Sequence, residues 1–139
     1  MALTRYVLDA WALLAFLQKE EPAATRMNAL LRQAKAPSDT ELYAAVLNLG
    51  EVYYRIAKGK SESQASEALA LFRRLSIRTV SATDERVYAA ARFKGRFAVS
   101  YADAFACTTS QEFGAILVTG DPEIMHLSHL LTLEILTRN

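Results

Sequence analysis

The sequence predicts a layered α/β protein with a mostly parallel sheet. Two observations carry this. Short apolar runs of strand length alternate with longer stretches of helical period, and Gly, Pro, Ser or Asp marks most of the changes between them. The chain also lacks an internal repeat, a low-complexity linker or an evident boundary. Such alternation implies strands joined by right-handed helical crossovers.

Tyr6 to Asp9 is the first strand-length run. Ala10 to Gln18 and Ala23 to Ala36 read as helices, separated by Pro22, with Pro37 stopping the second. Glu41 to Val46 reads as a strand, although Ala44-Ala45 suits a helix equally well. A helix follows through Leu49, Val52, Tyr53 and Ile56 and ends near Gly59. Ser61 to Leu75 is the clearest amphipathic helix, with Ala65, Ala68, Leu69, Phe72 and Leu75 on one stripe. Ile77 to Val80 is a strand, and the helix opened by Thr83-Asp84-Glu85-Arg86 fades near Gly95. Ser100 to Glu112 is a helix and Ala115 to Val118 a strand. Helical residues follow Pro122, and Leu131 to Leu136 alternates as a final strand.

At 139 residues the length suits one domain, taken as 1–139. A composition of 52% hydrophobic and 22% charged residues excludes a disordered chain. The formal charge of +1 gives the whole molecule no bias toward polyanions, so any such binding must come from local clusters of Lys and Arg. The single cysteine, Cys107, excludes an internal disulfide and fits a reducing compartment. The apolar run from Ala10 to Leu17 is too short to span a bilayer, so a cytoplasmic protein without a membrane partner is expected.

Four acidic residues stand where apolar runs give way to helices: Asp9, Glu51, Asp103 and Asp121. Each has an ordinary explanation as a helix-start residue. Asp9 precedes the helix at Ala10. Asn48-Leu49-Gly50-Glu51 and Ser100-Tyr101-Ala102-Asp103 follow the capping-box pattern or its Asp variant, and Asp121-Pro122 is a common helix opening. In an open parallel sheet, however, strand-to-helix turns gather along one edge. Two carboxylates about 4 Å apart repel by roughly 4 kcal/mol at an effective dielectric near 20. Helix N-termini offset a little of that, and a hard divalent cation offsets much more. With no Cys/His cluster, the cation expected is Mg2+ or Mn2+ rather than zinc. Such a centre suits phosphodiester cleavage, with Asp9 and Asp103 as inner ligands, Asp121 completing the site, and Glu51 holding a second metal or positioning the attacking water.

Four segments resemble the PIN-domain ribonucleases, specifically VapC-type toxins of VapBC toxin–antitoxin pairs. They are Val7-Leu8-Asp9-Ala10, Asn48-Leu49-Gly50-Glu51-Val52-Tyr53, Ser100-Tyr101-Ala102-Asp103-Ala104-Phe105-Ala106 and Val118-Thr119-Gly120-Asp121-Pro122-Glu123. They occur in the family's order from one end of the chain to the other. The resemblance implies a three-layer α/β/α fold and a Mg2+- or Mn2+-dependent endoribonuclease acting on RNA. It also implies a homodimer and a VapB-type antitoxin that blocks the site. Asp9, Glu51, Asp103 and Asp121 match the family's acidic quartet. One departure stands out: Ala10 and Trp11 occupy positions where the family often has Ser or Thr, and Thr119 is the nearby hydroxyl. The departure leaves open a PIN-like binding or regulatory module with weakened catalysis, and a similar acid set would also serve another metal-dependent phosphoesterase or DNA nuclease.

Other residues have competing readings. Trp11 would stack on an RNA base if exposed, or pack in the core. Arg92, Lys94 and Arg96, and Arg55, Lys58 and Lys60, would contact phosphates or simply be solvated. His126 and His129 lack further matching ligands and are expected at the surface. Cys107 is expected in the core.

Overall fold

The computed structural model describes residues 2–35 and 37–139. Five strands form one sheet: β1 (Thr4–Leu8), β2 (Thr40–Ala45), β3 (Ile77–Val80), β4 (Ile116–Thr119) and β5 (Leu133–Ile135), in the order β3-β2-β1-β4-β5. Every pairing is parallel. Seven helices are α1 (Ala10–Leu17), α2 (Ala23–Gln33), α3 (Val46–Gly59), α4 (Glu62–Arg74), α5 (Asp84–Arg96), α6 (Tyr101–Glu112) and the one-turn α7 (Pro122–Met125).

Side chains alternate across a strand, so a sheet buried on both faces divides its residues between two cores. On one face Val7, Tyr43, Ala45 and Leu117 pack with Ala90, Phe93, Phe105 and Ile124 from α5, α6 and α7. On the other, Leu8, Leu42, Ala44 and Val118 pack with Leu13, Met27, Val52 and Phe72 from α1 to α4. The result is the expected α/β/α sandwich. Among the described residues no helix is long and apolar enough to cross a membrane.

The ambiguous Ala44-Ala45 pair belongs to β2. Both residues are buried, one toward each helical layer, and they register with Thr79 and Val80 of β3. Small residues here let helices approach both faces. β2 runs directly into α3, which begins at Val46 rather than at Asn48. α2 ends at Gln33, earlier than expected, and the expectation for Ala36 lies outside the described residues. The final strand is shorter than its alternation suggests, spanning Leu133–Ile135.

The strand order places the site. β2 and β3 lie to one side of β1, and β4 and β5 to the other. The direction of winding therefore reverses between β1 and β4. Their carboxyl ends diverge into separate loops there, the position where open α/β sheets form a crevice. Leu8 registers with Val118, so Asp9 and Thr119 emerge side by side from adjacent strands.

Candidate metal centre

Asp9 is 1% exposed and held at both oxygens. Its Oδ1 accepts from the Ala12 backbone N–H at 2.8 Å, capping α1. Its Oδ2 accepts a short hydrogen bond from the Thr119 hydroxyl. The Thr119 Oγ1 in turn accepts from the Asp121 N–H at 3.0 Å. A single hydroxyl from β4 thus joins the first and last acids and supplies the hydroxyl support that Ala10 and Trp11 do not.

Asp103 is carried by α6. Ser100 caps that helix by accepting from the Asp103 N–H at 3.1 Å, leaving the carboxylate directed into the cleft. Asp121 caps α7, accepting from the Glu123 N–H at 2.9 Å, with Pro122 at the first helical position where its missing N–H costs nothing. Three of the four acids therefore stand at helix starts as their local sequences predict.

Glu51 does not. Because α3 begins at Val46 without a side-chain cap, Asn48 lies inside the helix and the capping-box reading of Asn48 to Glu51 fails. Asn48 instead crosses to the α6 start, donating Nδ2 to the Ala102 carbonyl at 3.0 Å. That link fixes α3 against α6 and brings Glu51 beside Asp103. Glu51 Oε2 accepts from Arg55 Nε at 2.8 Å, one helical turn on, while Oε1 is buried with no hydrogen-bond partner.

All four acids thus converge on one region, and Glu51, Asp103 and Asp121 line a cleft of about 420 Å³. Oxygens of Asp103, Asp121 and Glu123 lie within 4.8 Å of one another. Glu123 is the addition that pattern reading missed. Its only sequence signal is its place two residues after Asp121, which looks like a first-turn acid on a helix.

The electrostatics match the crowding. Burial pushes the Asp9 carboxyl up to about 7; its two hydrogen bonds pull the other way, and the Asp121 and Glu51 charges add to the rise. Asp103 is pushed up to about 8, first by burial and then by the Asp121 charge and a hydrogen bond shared with it, with Asp9 and Glu51 contributing. Without a counter-ion Asp9 and Asp103 therefore retain protons well above the usual carboxylate range.

Does the donor set fit a hard divalent cation? It consists of carboxylate oxygens alone, three of them within 4.8 Å of one another, and it includes a buried Glu51 Oε1 that no group among the described residues satisfies. Hard cations take that chemistry. Both histidines are exposed and neither joins this group. Cys107 is fully buried, and burial followed by the Asp103 charge pushes its thiol up to about 12, which rules out a thiolate nucleophile at neutral pH.

Trp11 lines the cleft half-buried. The Arg138 guanidinium lies over the ring at 5.0 Å, and the ring packs so closely on Gly120 that any Cβ there would collide with it. Gly120→Ala is therefore expected to destabilise the fold by about 1–3 kcal/mol through overpacking, as read by thermal denaturation. Adding Trp11→Phe should recover part of the loss; full stability of Gly120→Ala alone would contradict this packing. Of the basic residues, Arg55 faces Glu51, whereas Arg92 and Arg96 line a separate open depression between α5 and α6.

The chain belongs to the PIN domain family, whose model matches residues 6–130. Its fold is shared by several solved structures of low sequence identity. Mycobacterium tuberculosis VapC20, a Sarcin-Ricin loop cleaving toxin, superposes with a TM-score of 0.72 at 14% identity, covering 96% of this chain and 99% of that one. VapBC2 from Rickettsia felis, bound to a DNA fragment from its promoter, gives 0.71 at 15% identity, covering 95% and 98%. PAE2754 from Pyrobaculum aerophilum gives 0.61 at 21% identity, covering 91% and 86%. No curated protein matches the chain by sequence.

Proposed function

We propose that this chain is a Mg2+- or Mn2+-dependent endoribonuclease, the toxin of a type II toxin–antitoxin pair. The observation that carries the reading is the oxygen-only cluster at the β1/β4 switch point, with the Glu51 Oε1 left unsatisfied. Membership of the PIN family and the likeness to a Sarcin-Ricin loop cleaving toxin support it. In this reading residues 1–139 form one PIN domain that works in the cytoplasm as a homodimer, and a VapB-type antitoxin blocks the cleft.

Asp103, Asp121 and Glu123 would hold the cation, with Glu51 Oε1 as a further donor and Asp9 at the floor. When bound, the cation supplies a water of lowered pKa and offsets charge developing on phosphoryl oxygens. The protein's own part is positioning. Thr119 and the α1 N-terminus fix Asp9 so that it does not have to reorganise, and Ser100 holds Asp103 at the start of α6. The Arg55 guanidinium keeps Glu51 Oε2 occupied, which leaves Oε1 as the free donor.

Protein purified free of antitoxin is expected to cleave RNA with Mg2+ or Mn2+, to stop on addition of a chelator, and to resume when excess Mn2+ is returned. The same preparation should leave DNA of matching sequence uncut, since the 2′-hydroxyl distinguishes the two. A folded protein that binds neither cation by calorimetric titration would instead be a PIN module whose catalysis has decayed. Preferential cutting of DNA would make it a nuclease of another class.

A further inference from the structure

An acid-lined cleft repels the strand it is proposed to cut. A cation held by the carboxylates compensates one phosphate, but neighbouring phosphates still meet the field of the acids. The cleft has two cations in its lining, Arg55 and Arg138. Arg55 is committed through its Nε to Glu51.

Arg138 is set apart by how it is anchored. Its backbone is clamped rather than trailing: Ala23 N–H donates to the Thr137 carbonyl at 3.0 Å, Asn139 N–H donates to the Glu21 carbonyl at 2.9 Å, and Arg138 bridges to Pro22. Its guanidinium lies over the Trp11 ring at 5.0 Å, and that ring packs closely on Gly120. As in Arg55, one guanidinium nitrogen is engaged, here Nη1 donating to Glu20 Oε1 at 2.9 Å, and the side chain remains 44% exposed. A planar fork, pre-oriented on an aromatic face and with N–H groups to spare, is the arrangement that binds phosphate oxygens with little loss of rotamer freedom.

We propose that Arg138 is a substrate-binding residue that holds a phosphate of the RNA strand at the cleft mouth, with Trp11 as its support. The inference rests on the endoribonuclease reading above. It also gives Trp11 a function in the position where the family often has a hydroxyl residue: it carries the cation that meets the substrate.

The test uses the full chain with Asp103→Asn to prevent turnover and a fluorescein-labelled single-stranded oligoribonucleotide of mixed sequence, followed by anisotropy across a salt series in Mg2+. Adding Arg138→Ala is expected to weaken binding by roughly tenfold or more, the worth of a charge-assisted hydrogen bond. It is also expected to reduce the slope of log affinity against log salt by about 0.7, the value for one phosphate contact on a single strand. Arg138→Lys, which retains the charge without the fork, should keep the slope and lose part of the affinity. If Arg138→Ala loosens the fold, the Lys variant still decides: affinity equal to that of the parent overturns the proposal. Arg96→Ala, outside the cleft, should leave the slope unchanged, and an equal drop there would reduce the effect to general surface charge. In the turnover-competent protein, Arg138→Ala should raise KM more than it lowers kcat. Wild-type protein that cleaves RNA with Arg138 variants indistinguishable from it overturns this inference alone. Wild-type protein that neither binds Mg2+ or Mn2+ nor cleaves RNA overturns the endoribonuclease reading and this inference with it.

Discussion

Asp103→Asn is expected to lower RNA cleavage by roughly 10²–10³-fold or more, the usual cost of removing one preorganised charged group from a reaction centre, and yet to stabilise the cation-free protein above about pH 8. The two effects share a cause. The Asp103 carboxylate is 8% exposed and crowded by Asp121, Asp9 and Glu51, so its charge is unfavourable unless a cation offsets it. An amide of the same shape removes that charge. The cap of α6 survives, because Ser100 and not the Asp103 side chain provides it. Asp9→Asn should behave differently. Its Oδ2 accepts from the Thr119 hydroxyl and its Oδ1 caps α1, so an amide group in place of one oxygen disrupts the Thr119 link. Activity should fall, and below about pH 7, where the Asp9 carboxyl is uncharged, stability should fall by about 1–3 kcal/mol for a buried polar group left without its partner. Cleavage assays and thermal melts on the two variants separate the roles. Alkaline destabilisation by Asp103→Asn would contradict the repulsion argument.

The second large effect is a fall in stability with rising pH that the cation offsets in part. Asp9 sits near 7 and Asp103 near 8 in the fold, against 3.8 for each in its ordinary environment. Between about pH 4 and pH 8 the folded protein therefore binds protons that the unfolded chain has released. Stability must then fall as pH rises through that window, being fully present below the unfolded value and lost above the folded ones. For Asp9 alone the difference is on the order of 4 kcal/mol. Melting temperature in chelator should drop steadily from about pH 5.5 to pH 8.5. Mn2+ binds the charged cluster, and at a hundredfold excess over its dissociation constant it should return about 2.7 kcal/mol, most strongly at the alkaline end. A chelated protein whose melting temperature is flat or rising over this range would show that these acids are ionised in the fold after all.

Much of the site follows from local sequence. Asp9, Ser100 and Asp121-Pro122 mark helix starts because capping is settled within three or four residues, and the structure keeps all three. The division of the sheet into two cores is likewise written in the alternation of Val7 and Leu8, or of Leu42 and Tyr43. Where local signals conflict, they fail. Ala44-Ala45 becomes strand because it pairs with Thr79 and Val80 of β3, and α3 consequently starts at Val46, turning Asn48 from a cap into a strut.

What the sequence determines by itself is thus a parallel α/β chain with acids at its strand–helix junctions. The tertiary structure decides which junctions meet. Asp9 reaches Thr119, 110 positions away, only because β4 pairs with β1 in the order β3-β2-β1-β4-β5. Arg138 reaches Glu20 and Trp11 only because the chain end is clamped to the turn before α2. Periodicity and capping record interactions across a few residues. Strand order is chosen by the burial of whole faces, and that selection leaves no mark at any single position.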